Sequence, residues 1–156
     1  MNDFYNSFYN DLRIGHIAEN MFKQILLQSG ITGVTINNST DIEQLRRYDL
    51  EFYNFNSSKP IRIEVKADHK ALETNNICIE CKYDHNDSGI RTTDSQYYAI
   101  LIGSVYYVIS TKKLKEICDS RMYQLITLEH CNTVCYMIPL TVIARQSKQV
   151  NINDYI

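Results

Sequence analysis

Two stretches near the middle of the chain alternate between apolar and polar residues, as half-buried β-strands do. They cover residues 48–55 and 61–67, and a polar turn separates them. In the second stretch, isoleucine, valine and alanine occupy one face, and charged residues occupy the other. We therefore predict two neighbouring strands that present one apolar face and one charged face.

The charged face of this strand pair is rich in carboxylates. Asp49 and Glu51 share a face of the first strand, Glu64 and Lys66 share a face of the second, and a third alternating stretch carries Glu80. We predict a meander of three strands with one polar stripe. Two interpretations fit the stripe equally: the solvated face of an antiparallel sheet, or a site whose charge is compensated by a divalent cation.

The remaining apolar pattern predicts further helices and strands. From Leu12 to Gly30 apolar residues recur every three or four positions, which predicts a helix with His16 and Glu19 on its polar side. The sequence does not decide between a helix and an arm for the first twelve residues. Further predicted elements are a third strand over 77–82, a buried hairpin over 97–102 and 105–109, a helix over 112–118, strands over 123–128 and 134–138, and a short helix from Pro139 before a polar tail.

Length and composition favour an ordinary folded domain. The 156 residues are 44% hydrophobic, so we predict one domain over residues 1–156. A net charge of −2 gives no global signal for nucleic acid, so such a function must depend on local basic residues and on metal. The start has no signal-peptide pattern, and the apolar runs are too short for a bilayer, so we expect a soluble cytoplasmic protein without a membrane partner. The sequence has no glycine-rich phosphate loop, so we expect no nucleotide cofactor.

The order of these elements resembles the PD-(D/E)XK nuclease superfamily from about residue 15 to residue 118. The motif consists here of Asp49 on one strand and Glu64-Val65-Lys66 on the next. Glu19 lies where resolvase-like members carry a glutamate on a helix. The segment 88–98, with its Ser-Gly loop and two tyrosines, is similar to another recurring part of the family. No proline precedes the aspartate, which is a departure from the pattern.

The resemblance implies an α/β fold with a restriction-endonuclease-like core, in which a mixed central β-sheet is flanked by helices. It also implies an Mg²⁺-dependent DNA endonuclease that hydrolyses phosphodiester bonds. The pattern is closest to Holliday-junction-resolvase-like and phage or viral nucleases, so we expect a structure-selective enzyme of DNA recombination or repair. Because a duplex or junction has two strands to cut, we expect a homodimer.

Site roles also follow from the resemblance. Asp49, Glu64 and the Val65 carbonyl would bind Mg²⁺ or Mn²⁺, which prefer oxygen ligands. Lys66 would orient the attacking water, because the neighbouring carboxylates favour its charged form. Glu19 and Glu80, the remaining acidic candidates, are assigned to a second ion or to outer-shell support. The expected phosphate contacts are Arg46, Arg47, Arg91, Thr92 and Thr93.

Two other functions remain open at this stage. One is a non-catalytic module that keeps the nuclease fold and binds nucleic acid or another partner. The other is a small α/β structural or interaction protein whose charged stripe only faces solvent. Intact Asp49, Glu64 and Lys66 favour the enzyme over the first of these.

Overall fold

The computed structural model describes residues 2–156, and it describes side-chain surroundings from residue 10 onward. The protein has a mixed α/β fold with a mixed β-sheet and helices, as predicted. Its α-helices are α1 (Asn2–Gln28), α2 (Ile42–Leu45), α3 (Ala71–Thr74), α4 (Thr111–Asp119) and α5 (Leu140–Gln146). Short 3-10 helices span Gly89–Arg91, Glu129–Cys131 and Ile152–Tyr155.

Within residues 2–156, ten strands form two sheets. The six-stranded sheet has the order β1-β2-β3-β6-β7-β10, and the four-stranded sheet has the order β5-β4-β9-β8. Strands β3 and β6 run parallel, and the other pairs of neighbours run antiparallel. The strands are β1 (Thr35–Ile36), β2 (Leu50–Tyr53), β3 (Pro60–Ala67), β4 (Asn76–Tyr83), β5 (Asn86–Asp87), β6 (Tyr97–Ile102), β7 (Val105–Ser110), β8 (Leu125–Leu128), β9 (Thr133–Pro139) and β10 (Lys148–Asn151).

Helix α1 packs on one face of the six-stranded sheet. Its residues Ala18, Phe22 and Ile25 recur at helical spacing and are buried. We call the cluster that they form with the sheet the helix-side core; its sheet members include Leu50, Phe52, Ile63, Val65, Ala99, Leu101 and Tyr106. The apolar face predicted for residues 61–67 therefore lies against α1.

The opposite face of the same sheet is covered by the four-stranded sheet together with α4 and α5. We call this cluster the inter-sheet core; it includes Ile77, Ile79, Cys81, Tyr98, Ile100, Ile102, Ile109, Leu114, Ile138 and Ile143. Along β6, Ala99 and Leu101 belong to one core, and Tyr98 and Ile100 belong to the other. The prediction that this strand is covered on both faces is confirmed.

The predicted meander is wrong. Strand β4 leaves the sheet of β2 and β3 and pairs antiparallel with β9, while the second neighbour of β3 is the parallel strand β6. The physical reason is that the apolar face of β4, with Ile77, Ile79 and Cys81, packs into the inter-sheet core. Alternation predicts a strand and its faces correctly, but it does not identify the neighbouring strand.

Helix α4 agrees with its predicted range, whereas both ends of the chain carry structure that the sequence left open or unassigned. The helix predicted over 112–118 forms as α4, and Ser110 caps it by accepting a hydrogen bond from the Lys113 backbone N–H at 3.2 Å. The polar tail after Gln146 was not predicted to be a strand, yet β10 pairs with β7. At the other end, α1 already begins at Asn2, while Met1 lies outside the described residues.

Across the described chain, no helix is both long and apolar enough to cross a membrane.

Within the helix-side core, the Tyr106 hydroxyl donates a hydrogen bond of 2.7 Å to the Ala18 carbonyl, and the Tyr106 ring lies 4.8 Å from the Phe22 ring between centroids. This buried polar contact attaches α1 to the sheet that it covers.

Replacing Tyr106 by phenylalanine is expected to lower the free energy of unfolding by about 1 kcal/mol, because one buried hydrogen bond is lost while the ring still fills its space. Urea unfolding at fixed pH measures the change. Tyr107→Phe, at a half-buried neighbouring position, is the control and is expected to stay near wild type. Equal stability of Tyr106→Phe and wild type would contradict the role of this contact.

Candidate functional site

The register of β2 and β3 brings Asp49 beside Glu64. Leu50 pairs with Ile63, and the Asp49 backbone N–H donates to the Ile63 carbonyl at 3.0 Å, so Asp49 extends the pairing by one position. One carboxylate oxygen of Asp49 accepts a hydrogen bond from the Val65 backbone N–H at 2.6 Å. The Asp49 carboxylate is thus fixed against the strand that carries Glu64.

Glu64 is a buried acid, with 6% of its surface exposed. Its Oε1 lies 2.8 Å from the Nζ of Lys66, whose side chain is about half exposed. Because Glu64 and Lys66 are two positions apart on one strand, they share a face, as predicted. The ammonium group of Lys66 therefore partly neutralises Glu64 at the edge where the strand pair meets solvent.

These three side chains line an open cleft of about 810 Å³. We call it the acidic cleft, because it is lined by six acidic residues and three basic ones. The acidic residues are Glu43, Asp49, Glu64, Glu80, Asp84 and Asp87, and the basic ones are Arg46, Arg47 and Lys66. The remaining lining residues are Leu45, Tyr83, Asn86, Ser88, Gly89 and Thr92. A polyanion would be repelled by this lining unless cations offset its charge.

Glu80 reaches the acidic cleft from the other sheet. The Ser88 hydroxyl donates a hydrogen bond of 2.7 Å to its Oε1, and the Ser88 backbone N–H donates to the Cys81 carbonyl at 3.1 Å. Gly89 follows with φ at +53°, and a Cβ there would collide with the Glu80 carbonyl oxygen. The loop after β4 therefore depends on glycine, and it fixes the carboxylate of Glu80.

Glu19 approaches the site from α1 without lining the cleft. Its side chain is largely buried, at 16% exposed, and its Oε2 lies 3.3 Å from the Nδ1 of His16. The charge of Glu19 adds to the negative potential at Asp49 and contributes slightly to raising the pKa of that residue. The structure thus brings Glu19 within electrostatic range of the predicted site.

The five residues predicted to contact phosphate lie at different places in the structure. Arg46, Arg47 and Thr92 line the acidic cleft. Arg91 lies at a separate cavity of about 260 Å³, where it donates a hydrogen bond of 2.7 Å to the Tyr136 hydroxyl. Thr93 is buried and donates to the Arg47 carbonyl at 3.0 Å, so its hydroxyl holds the backbone together.

Glu51 is engaged away from the cleft. Its Oε2 lies 2.8 Å from the Nε of Arg62, which also stacks over the ring of Tyr48 at 4.3 Å. Arg62 further approaches Asp94, which pairs with Arg47 at 3.3 Å. This network accounts for the Glu51 carboxylate without giving it a role at the site.

Burial is the main electrostatic influence on Asp49. The pKa of Asp49 is raised from 3.8 to about 7: burial is the largest cause and the neighbouring Glu64 adds to it, while Lys66 and the Val65 N–H oppose the rise. The charge of Glu64 also raises the pKa of Lys66, which therefore keeps its proton. When both carboxylates are ionised, a single ammonium leaves an excess of negative charge, which a bound cation would relieve.

The donor chemistry of the site suits a hard divalent cation, because Asp49, Glu64 and Glu80 supply carboxylate oxygens. Among the described residues, no three His, Cys, Asp or Glu side chains lie close enough together to hold an ion as they stand. An ion would therefore have to draw these carboxylates together. The excess buried charge favours that movement.

Tyr98, one of the two tyrosines in the segment 88–98, lies beside this site, and the sequence assigns it no role there. It pairs with Glu64 across β3 and β6 and is 2% exposed. Its hydroxyl is buried and has no hydrogen-bond partner within residues 10–156. The available signal was its position in a buried strand that follows the Ser88-Gly89 loop, but sequence alone does not reveal an unpaired hydroxyl.

Asp49→Asn is expected to change how stability depends on pH. Because the folded-state pKa of Asp49 lies above its unfolded value, wild type loses stability as pH rises from about 4 through about 7. The variant lacks this loss, so its stability relative to wild type should rise over the same window. Unfolding titrations at pH 5 and pH 8 without divalent cations measure it. The exposed Asp154→Asn is the control, and identical pH profiles for Asp49→Asn and wild type would contradict the prediction.

Gly89→Ala is expected to destabilise the fold by clearly more than about 1 kcal/mol, because the left-handed backbone and the collision with Glu80 add together. Gly103→Ala is the matched control: its φ is +61°, but its added Cβ would meet only Leu72 at van der Waals distance. Thermal unfolding compares the two variants. If both lose the same stability, the close approach of Gly89 to Glu80 has no energetic weight.

Comparison with known proteins adds no family. No protein-family model matches the chain, and a search of curated proteins finds no similar sequence. The resemblance to the PD-(D/E)XK superfamily therefore remains a prediction that depends on the order of elements and on the residues named above.

Proposed function

We propose that this protein is a divalent-cation-dependent DNA endonuclease with a restriction-endonuclease-like core. The observation that carries the proposal is the arrangement of Asp49, Glu64 and Lys66 at the acidic cleft. The buried carboxylate of Glu64 and the half-buried carboxylate of Asp49 lie side by side, and an ammonium group sits 2.8 Å from Glu64. Structural ion pairs seldom leave an excess of buried negative charge, whereas cation-binding sites require it.

The carboxylates of Asp49 and Glu64 would bind the cation, with Glu80 and Glu19 as outer support. Bound Mg²⁺ or Mn²⁺ would neutralise a scissile phosphate and lower the pKa of a water molecule. The Val65 N–H holds the Asp49 carboxylate in place at 2.6 Å, so one of the two ligands is pre-oriented. The backbone carbonyl of Val65 remains a proposed additional ligand.

Lys66 would orient a water molecule and stabilise negative charge on the phosphate, and it would not act as a base. The charge of Glu64 raises the pKa of Lys66, so its amine stays protonated at neutral pH. A protonated ammonium donates hydrogen bonds to a water molecule or to a phosphate oxygen, but it does not accept a proton. Its half-exposed position at the cleft allows such contacts.

The DNA backbone would enter the acidic cleft beside Arg46, Arg47 and Thr92. Guanidinium and hydroxyl groups suit phosphate oxygens, and such contacts position a nucleic acid without reading its sequence. Because acids outnumber bases in the lining, DNA binding should itself require divalent cations. A preference for branched DNA and a homodimeric assembly, in which two sites cut two strands, are part of the proposal.

Cleavage assays test the proposed activity. The full chain is incubated with duplex, single-stranded and four-way DNA, with Mg²⁺ or with a chelator. We expect nicking or cutting only with the cation, because the phosphate charge is otherwise uncompensated. Asp49→Ala and Lys66→Ala should each lower the rate by about 100-fold or more, the scale typical of groups that assist proton transfer and positioning.

Glu51→Gln is the matched control for these variants, because its carboxylate is bound to Arg62 and not to the cleft. It is expected to cut DNA at nearly the wild-type rate. Full activity of Asp49→Ala, or equal losses in Glu51→Gln and Lys66→Ala, would contradict the assignment of the site.

A second candidate is a non-catalytic nucleic-acid-binding or interaction module. It is favoured by one observation: within the described residues, the acids of the cleft do not yet form a closed set of three ligands. This candidate predicts DNA binding, measured by fluorescence anisotropy, without carboxylate-dependent Mn²⁺ binding and without cleavage of any of the three substrates. The enzyme proposal predicts DNA binding, Mn²⁺ binding and cleavage.

A further inference from the structure

Tyr98 lies directly beside Glu64 in the six-stranded sheet. The parallel register of β3 and β6 pairs these two residues, so their side chains project from the same face of neighbouring strands. Next to them, Lys66 pairs with Ile100 along the same ladder. Tyr98 thus belongs to the inter-sheet core and lies beside Glu64, which lines the acidic cleft.

Charged groups lie within electrostatic range of the Tyr98 hydroxyl. Burial raises the pKa of this hydroxyl, and the charge of Glu64 raises it further, with Asp49 and Glu80 acting in the same direction and Lys66 against them. The hydroxyl therefore keeps its proton and remains a donor. Tyr98 and Glu64 are register partners whose side chains project from the same face, so Tyr98 lies on the side of the sheet that carries the carboxylates.

This donor is nevertheless unpaired. The Tyr98 hydroxyl is fully buried and has no partner among the side chains and backbone groups that the structure describes. A buried hydroxyl without a partner costs on the order of 1–3 kcal/mol, so a fold usually satisfies it or replaces it by phenylalanine. By contrast, the buried Tyr106 hydroxyl on the next strand is satisfied by the Ala18 carbonyl at 2.7 Å.

A cation at the site would change what Glu64 can accept. One of its oxygens is now paired with Lys66 at 2.8 Å. When the carboxylate turns to hold an ion, its other oxygen needs a donor that fixes its orientation, as ligating carboxylates in proteins generally have. Tyr98 is the neighbouring donor on the same face of the sheet.

We propose that the Tyr98 hydroxyl donates a hydrogen bond to the Glu64 carboxylate when that carboxylate holds a divalent cation, and that Tyr98 is therefore a positioning residue of the metal centre. This inference rests on the proposed function, because it presupposes cation binding by Glu64. In the metal-bound state the Tyr98 hydroxyl would then have Glu64 as its partner. The free-energy cost of leaving this hydroxyl unpaired would apply only to the metal-free state.

The test is the variant Tyr98→Phe, which removes only the hydroxyl and keeps the ring in the core. Calorimetric titration with MnCl₂ gives the affinity, and thermal unfolding without metal gives the stability of the fold. We expect Mn²⁺ to bind about 10-fold or more weakly to the variant, the range typical of groups that support a metal ligand. Without metal, its melting temperature should equal or exceed that of wild type, because no hydrogen bond is lost.

Tyr106→Phe is the matched control. It removes an equally buried hydroxyl that already has a partner, so its melting temperature without metal should fall while its Mn²⁺ affinity stays at the wild-type value. The two variants are therefore expected to show opposite behaviour in the two measurements. A merely structural role for Tyr98 would give the pattern of Tyr106→Phe.

The possible outcomes distinguish a failure of the Tyr98 inference from a failure of the proposed function. If wild type does not bind Mn²⁺, the proposed function fails, and the inference fails with it. If wild type binds Mn²⁺ and Tyr98→Phe binds it equally well, only the inference is overturned. A melting temperature of metal-free Tyr98→Phe that falls as far as that of Tyr106→Phe also overturns it, since the hydroxyl would then have a partner in the fold.

Discussion

The pairing of Leu50 with Ile63 is the constraint on which the rest of the structure depends. This register turns the apolar residues of β2 and β3 toward α1, and it turns Asp49 and Glu64 to the opposite face. Because side chains alternate along a strand, a slip of one residue would bury the acids under the helix and expose the core. One register therefore specifies both the helix-side core and the carboxylate pair. The free energy gained by burying the apolar residues of that core holds Asp49 and Glu64 in position.

The carboxylate pair is held at a cost to stability that its surroundings only partly offset. Lys66 and the Val65 N–H favour the charged forms, but burial dominates and raises the pKa of Asp49 to about 7. The Tyr98 hydroxyl, which has no hydrogen-bond partner within residues 10–156, adds to the cost without divalent cations. Unfavourable groups of this kind persist where the surrounding structure over-determines them, as the two cores do here. Asp49 and Glu64 line one cleft, and Tyr98 is the register partner of Glu64, so these costs fall on one region of the sheet.

The sequence allowed the faces of strands to be predicted, but not the neighbours of each strand. Alternation over 48–55 and 61–67 is a local consequence of the pleat, and the structure agrees with it. Residues 77–82 alternate equally well, yet they belong to the second sheet, because pairing depends on which apolar faces meet in three dimensions. The direction of Arg91 depends on loop geometry that composition does not encode. Tyr98 is typical of a buried strand, and nothing in its neighbourhood along the chain shows whether its hydroxyl finds a partner.

The parallel pairing of β3 with β6 has a consequence for the order of assembly. Hairpin β2–β3 joins residues close along the chain and forms rapidly, so Asp49 and Glu64 meet early during folding. Strand β6 reaches β3 only after the chain has crossed through β4 and its loop, and such long-range parallel pairing is intrinsically slow. We therefore expect water to leave the buried Glu64 carboxylate late in folding, when Tyr98 and the second sheet close over it. Ions in a refolding buffer would then meet two carboxylates that are already side by side and still hydrated.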